Sequence, residues 1–448
     1  MSHPDPPRIR STLVWARRVF KDSRSRAIAT LTAGGTAASL LGLALLPLIT
    51  HQYQPSTYAT FALVFTATAV LSTVVTGKYE QAIPLQQGHI DGDRRSFRLA
   101  ALSLLTAGLI CALGQAIVII VYLLVQPSGE EGQALLATPL LVWLSTLVTI
   151  QTQLLTRAGQ YASIAVFQLV RSGLQLGVQI GLGFVNPSVG ALLAGFAVSL
   201  LPQAGHCLWL LRKSLVLPVG VLLELAKRER HLPLYQAPTA LIRALETNVA
   251  LFVLAATYGD SLVAMYALAL RIVVSPATLV ASAANTVYLR EAPRLVMSRH
   301  YKLYGSLSAG LATLGLLGTM FLVILADPVS SLLGSGWEQA GAAIRATAPL
   351  AVAVFLGAIP SSTLLVEGHH HRLLWSRGLI MAVPNAVVVL AFVAAVPGIL
   401  ALLGYSLSML TCVLALNFGV ARYLTSQKRR LGSAEESHKA IPARIDEV

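Results

Sequence analysis

Twelve apolar runs, each close to or above the ~20 residues with which an α-helix crosses a ~30 Å hydrocarbon layer, dominate this chain. They fall at 27–50, 57–77, 98–125, 134–156, 161–183, 189–211, 233–257, 262–288, 303–326, 340–366, 372–394 and 398–424. Of its 448 residues 55% are hydrophobic and 12% charged, and the mean hydropathy is +0.69. No water-soluble fold hides that much apolar surface. The first run, about 24 residues behind a basic tail, is longer than the ~7–15-residue apolar core of a signal peptide and is expected to be a retained span. The connections are short and leave no room for a soluble domain. The pattern predicts an all-α integral membrane protein of about 12 transmembrane helices.

The formal net charge is +14. On a soluble chain that excess would suggest nucleic acid, but its placement argues otherwise. Arg8, Arg10, Arg17, Arg18, Lys21, Arg24 and Arg26 sit in the amino-terminal tail. Every second connection after it is basic: Lys78 with Arg94, Arg95 and Arg98; Arg157; Arg212 to Arg230; Arg290 to Lys302; Arg372 and Arg377; then the carboxyl tail. The alternate connections, near 51–56, 127–133, 186, 259–261, 327–339 and 396, hold no Lys or Arg. The positive-inside rule then predicts that both termini are cytoplasmic and that the number of spans is even. The charge is a topology signal, and nucleic acid is not an expected partner; the lipid bilayer is.

Two related halves are also visible. Tyr53 followed eight residues later by Phe61-Ala62-Leu63 recurs as Tyr258 followed eight residues later by Tyr266-Ala267-Leu268, both at an outer turn leading into a span. The expected organisation is a basic tail at 1–26, a six-helix lobe at 27–211, a cytoplasmic linker at 212–232, a second six-helix lobe at 233–424 and a polar tail at 425–448. The first tail mixes Leu13, Val14, Trp15, Val19 and Phe20 with its basic residues, which suits a helix lying on an anionic leaflet or a plain topogenic tail. The last tail is expected to be disordered.

With Arg98, Arg372, Arg377 and Arg422, near run ends, counted with the inner connections or the carboxyl tail, four arginines are left within runs: Arg171, Arg243, Arg271 and Arg345. A charge at mid-bilayer depth costs about 3 kcal/mol, so such residues face a wet cavity or a partner and mark functional sites. Arg171, Arg243 and Arg271 are each about ten residues into their runs, roughly 15 Å deep. Each lies in a polar stripe with helical spacing: Gln168, Arg171, Gln175 and Gln179; Gln236, Thr239, Arg243 and Glu246; Arg271, Ser275, Thr278, Ser282 and Asn285. Three such stripes predict helices lining one cationic cavity. Glu246, three residues beyond Arg243 on the same face, is either its structural partner or an ion-coupling acid. Arg345, near the end of its run, is expected to snorkel outward. Pro202, Pro238, Pro276, Pro349, Pro360 and Pro384 lie inside runs and are expected to bend them, as working hinges or as static kinks.

Cys111, Cys207 and Cys412 lie far apart in apolar runs and are expected to be small core residues. His369, His370 and His371 stand at an inner loop, where consecutive imidazoles cannot converge on one ion from a helix face, and are expected to be solvated. Apart from Glu367 no Cys, Asp or second His cluster accompanies them nearby, so no metal is expected; and the sequence contains no G-x-x-x-x-G-K-[ST] phosphate loop, so no nucleotide cofactor is expected.

The stretch Leu46-Pro47-Leu48-Ile49-Thr50, Tyr53, Pro55, Tyr58, Phe61-Ala62-Leu63 and Lys78-Tyr79-Glu80-Gln81-Ala82-Ile83 resembles the opening of bacterial polysaccharide biosynthesis proteins of the O-antigen flippase type, members of the multidrug/oligosaccharidyl-lipid/polysaccharide exporter superfamily. Tyr266-Ala267-Leu268-Ala269-Leu270-Arg271, Pro276 and Glu291-Ala292-Pro293-Arg294-Leu295 are similar to that family's eighth span and following loop. The resemblance implies a two-lobed alternating-access flippase in the bacterial plasma membrane. Its implied substrate is an undecaprenyl-pyrophosphate-linked oligosaccharide, and a polysaccharide polymerase or chain-length regulator is an implied further partner. Arg171, Arg243 and Arg271 would then draw in the pyrophosphate or acidic sugars. Two other readings compete: a cation-coupled small-molecule antiporter of the same superfamily, and a membrane-embedded polymerase or sugar transferase. The last would want acid, base or metal residues on a sizeable loop, and the longest outer connection holds only Asp327 and Glu338.

Overall fold

A computed structural model describes residues 23–86, 90–126, 129–212, 218–292, 297–367 and 369–439. The basic tail expected over 1–26 lies outside them apart from its last four residues, which open the first helix. Among the described residues there are helices and turns but no strand. Backbone contacts separate two units, Met1–Ala244 and Leu245–Val448. The first holds α1 (Ser23–Ala44), α2 (Leu46–Gln52), α3 (Pro55–Ser72), α4 (Ile90–Val125), α5 (Glu130–Arg157), α6 (Tyr161–Gly183), α7 (Val189–Leu211), α8 (Val219–Arg228) and the start of α9 (Ala237–Tyr258). The second holds the rest of α9, then α10 (Asp260–Ala269), α11 (Ser275–Glu291), α12 (Met297–Ser331), α13 (Ala340–Val366), α14 (His370–Val393) and α15 (Gly398–Lys439).

Every predicted run falls largely on helix, although 73–77 is turn, but among the described residues fewer than twelve helices meet the demands of a membrane span. Among the described residues nine are long and apolar enough, or ten if the bent pair Leu232–Glu246 and Asn248–Tyr258 is one span. α3 and α6 are not among them. The reason in α6 is its own polar stripe, and in α3 its scattered serines and threonines. α15 also corrects an expectation, because it carries helix to Lys439, through most of the tail expected to be disordered.

Local sequence sets the helix starts. Pro55 opens α3 behind an extended Gln54, its fixed φ already helical and its missing N–H one the first turn would leave unpaired. Gly129 takes φ 83° before α5, whose first turn carries Glu130 and Glu131 toward the positive end of the helix dipole. Ser188 caps α7 by accepting from the Ala191 N–H at 3.3 Å.

In the first unit α6 packs against α1 and α7, and α5 against α4 and α7. In the second, α13 is central, with α10, α11, α12 and α15 around it, and 61% of its apolar window is buried. Buried Ala343, Ala346, Ala348, Ala351 and Ala353 let those neighbours approach closely, as small residues do where helices pack without a hydrophobic driving force. α4 is the opposite case: beyond Cys111 none of its side chains is buried, and Leu113, Ile117, Ile120, Leu123 and Leu124 offer an apolar surface outward.

The repeat read from the sequence has a counterpart inside each unit. The Tyr53 hydroxyl donates to the Gln179 carbonyl at 2.6 Å, near the end of the fifth run, and its ring lies against Gly183, where a Cβ would meet it at 3.0 Å. The Tyr258 hydroxyl donates to the Val396 carbonyl at 3.2 Å, just past the eleventh run, and its ring lies against Gly398, again at 3.0 Å from where a Cβ would sit. Eight residues on, Phe61 and Tyr266 are both buried. The structural content of that short match is a tyrosine seated on a glycine, at the end of α6 in the first unit and at the start of α15 in the second.

One connection expected on the inner side is not a solvated loop. Gly77 and Lys78 both take left-handed conformations at φ 62°, turning the chain into a short 3₁₀ segment, Tyr79–Ala82. Lys78, Tyr79, Glu80, Ala82 and Ile83 are buried, with the Lys78 ammonium 3.6 Å from Glu80. Lys78, counted from the sequence among the charges of the inner connections, is buried and paired.

Candidate functional site

Arg171 lies in α6, half-buried, and among the described residues it makes no hydrogen bond or ion pair. One turn earlier the Gln168 Oε1 is buried and also without a partner, beside Gly35 of α1. The two glutamines that follow behave differently. Gln179 is 1% exposed and donates to the Leu192 carbonyl of α7 at 2.9 Å, and Gln175 is buried as well. A methyl group on Gly195 of α7 would collide with the Gln179 Cγ and come within 3.0 Å of the Gln175 carbonyl. The lower half of the expected stripe is therefore a seam between α6 and α7, not the wall of a cavity. An uncovered carbonyl needs a donor, and a glutamine amide supplies one where no water enters.

The second unit does contain a cavity, of about 310 Å³. α11 gives it Thr278, Ser282 and Asn285, three of the polar residues expected from the sequence. Glu246 of α9 and Arg377 of α14 face it from other helices, with Tyr266 and Tyr405 packed edge to face, their ring centres 6.1 Å apart. Apolar groups such as Leu350, Val354 and Met409 make up the remaining wall. Asn285 Oδ1 accepts from Ser362 at 2.5 Å, whereas the Thr278 and Ser282 hydroxyls bond back to carbonyls of their own helix.

Glu246 carries the charge of this cavity. Its Oε1 is 2.6 Å from Arg377 Nη1, and its Oε2 is buried with no partner. The partner is not the expected one: Arg377, counted with an inner connection, stands seven residues inside α14. Its position within the eleventh apolar run was the signal available for it. Glu246 thus has one oxygen paired and one buried without a partner beside a largely apolar void, an arrangement that is costly in low dielectric.

Arg271 sits in a π-helical turn, Leu270–Val274, where the Ser275 N–H reaches back five residues to the Leu270 carbonyl and Pro276 follows. Such insertions arise where a proline removes a donor from the ladder, and they recur at functional positions. A second π turn, Leu232–Gln236, precedes Pro238. Arg271 and Arg243 each have an interaction partner, unlike Arg171. Gln236, Thr239 and Arg243 are exposed. Arg345, expected to snorkel outward, is exposed and pairs with Asp327 at 2.7 Å. Cys111 and Cys207 are buried free thiols, Cys412 a half-buried one. His369 packs edge-on against Tyr423, ring centres 4.9 Å apart, and His371 accepts from the Trp375 indole at 3.1 Å, so these rings are held by helix contacts and not simply solvated.

This all-helical arrangement is the fold of the multidrug/oligosaccharidyl-lipid/polysaccharide superfamily of membrane transporters. An inward-facing multidrug resistance MATE transporter of that superfamily superposes with a TM-score of 0.68 at 15% identity, covering 88% of this chain and 96% of its own. The lipid II flippase MurJ, in an inward closed conformation, gives 0.68 at 15% identity over 87% of each chain. A superfamily transporter from Pyrococcus furiosus, described as having a binding pocket of reversed polarity, gives 0.61 at 16% over 91% and 97%. No curated protein sequence matches. The chain belongs to the polysaccharide biosynthesis protein family, whose profile matches residues 53–341.

Proposed function

We propose that the chain is a flippase that carries lipid-linked oligosaccharide units across the bacterial plasma membrane by alternating access, for O-antigen, capsule or exopolysaccharide synthesis. The observation that carries this reading is Arg171: a half-buried guanidinium with no partner among the described residues, in the middle of a helix of a polysaccharide-biosynthesis protein. An unpaired cation held at that depth is stabilised only when an anion arrives, and a guanidinium fork matches the oxygens of a diphosphate. Arg243 and Arg271, each in its own unit, are assigned to anionic groups of the cargo on the strength of their depth in the sequence. MurJ, of the same fold, is a lipid II flippase, which supports a lipid-linked cargo. The free Oε2 of Glu246 favours ion coupling: uptake of a proton or cation there would weaken the hold on Arg377 and offer the second unit two states. A cation-coupled small-molecule antiporter would use the same acid but leaves Arg171 without a task.

The test is deletion of the gene in its host, followed by analysis of surface polysaccharide and of lipid-linked units on each membrane face. Loss of one surface polysaccharide with its lipid-linked unit accumulating on the cytoplasmic face is the expected result. Unchanged surface polysaccharide together with altered small-molecule resistance would replace this reading with the antiporter.

A further inference from the structure

Where α4 enters the membrane, a hollow of about 370 Å³ lies between its first turns and the amphipathic helix α8. Arg94, Arg95 and Arg98 of α4 and Arg228 of α8 line it, against one acid, Glu224. Arg95 is committed to Glu229, the buried residue just past α8, although its Nε is buried without a partner. Arg94, Arg98 and Arg228 are exposed and make no ion pair or hydrogen bond among the described residues. Three free guanidinium groups thus converge on one concave site. A topology signal needs only the charges, scattered anywhere along the connection; it does not need a second helix to bring a fourth arginine round to face three others.

We propose that this hollow binds the phosphate headgroup of an anionic glycerophospholipid of the adjoining leaflet. The chemistry of the site calls for a phosphate ester, because convergent guanidinium forks pair with its oxygens. The helix beneath calls for a lipid. Leu105, Leu109 and Leu113 follow Arg98 at helical spacing on one face of α4, 48%, 64% and 57% exposed, beginning about 10 Å further along the axis. A headgroup held by Arg94, Arg98 and Arg228 would lay its acyl chains along that stripe. Leu222 buries α8 against its unit while Leu223, 57% exposed, is free to enter the interface. The assignment is separate from the cargo site in α6 and does not depend on it.

The experiment measures binding by the purified full-length protein, in detergent, to three probes: phosphatidylglycerol, geranylgeranyl diphosphate and inorganic phosphate. The variants are R94Q/R98Q/R228Q, the charge-retaining R94K/R98K/R228K, and R422Q as a control for loss of one charge elsewhere. Each basic residue near a charged lipid surface contributes about a fivefold gain in affinity, so the glutamine triple should bind phosphatidylglycerol on the order of a hundredfold more weakly. The lysine triple should lose several-fold, because the fork is gone while the charge remains, and R422Q should match the parent. If the glutamine triple does not fold, the lysine triple alone decides, and wild-type affinity in it would overturn the proposal. Equal phosphatidylglycerol binding by the parent and the glutamine triple would overturn it too. So would inorganic phosphate binding as tightly as the lipid, which would make this a free-anion site, or a preference for geranylgeranyl diphosphate, which would make it a port for prenyl-linked cargo.

Discussion

α6 and α11 are written alike in the sequence, each with polar residues at spacings of three and four beginning at or near an arginine, and the two helices use them differently. In α6 the residues beyond Arg171 turn into protein: Gln175 and Gln179 are buried and Gln179 holds the Leu192 carbonyl of α7. In α11 Thr278, Ser282 and Asn285 look into a void that also receives Glu246 and Arg377. The difference lies in the neighbours. α7 presents Gly195 where α6 needs room, so two helices close on the glutamines, whereas α11 meets α13 across side chains that leave about 310 Å³ open. A polar stripe in an apolar helix reports that a partner exists; whether the partner is a helix or a cavity is decided by the size of the residues opposite.

That contrast can be pressed experimentally. Replacing Arg377 by Ala leaves the Glu246 carboxylate buried and unpaired, and should cost on the order of 3 kcal/mol in thermal unfolding of the detergent-solubilised protein. E246Q/R377Q should recover most of it, and equal losses in the single and double variants would mean that the pair is incidental. In the first unit, Gly195→Ala should cost about 2 kcal/mol by forcing α7 off the buried glutamines; a neutral result would mean that the seam is loose. Gln179→Leu, which keeps the volume and removes the donor, should cost about 1 kcal/mol and leave transport intact. Ser282→Ala should change stability by less than about 0.5 kcal/mol, since that hydroxyl only bonds its own helix, and any effect should appear in transport.

Much of the fold was legible because hydropathy alone decides which segments can leave water. Tyr53 and Tyr258, singled out by their matching sequence, each seat on a glycine within their own units, Gly183 at the end of α6 and Gly398 at the start of α15. What escaped was pairing over long separations. Helical spacing put Arg243 and Glu246 on one face and so suggested each for the other, while the partner found, Arg377, is 131 residues away and was grouped with a loop. Spacing likewise could not show that Lys78 is drawn inside by two successive left-handed residues, or that Asp327 waits for Arg345. Of the candidate site, the sequence supplied Thr278, Ser282, Asn285 and Glu246 but neither of the tyrosines beside them, because a buried aromatic in a membrane helix carries no mark that separates packing from lining.

The claim on which the functional reading turns is that Arg171 is kept bare so that an anionic cargo can pair with it. The direct measurement is surface polysaccharide in a deletion strain complemented, at matched protein levels, with Arg171→Gln, Arg171→Lys or the parent. The account predicts near-complete loss with glutamine, partial export with lysine, and the lipid-linked unit retained on the cytoplasmic face in proportion. Full export by the Arg171→Gln protein would contradict it.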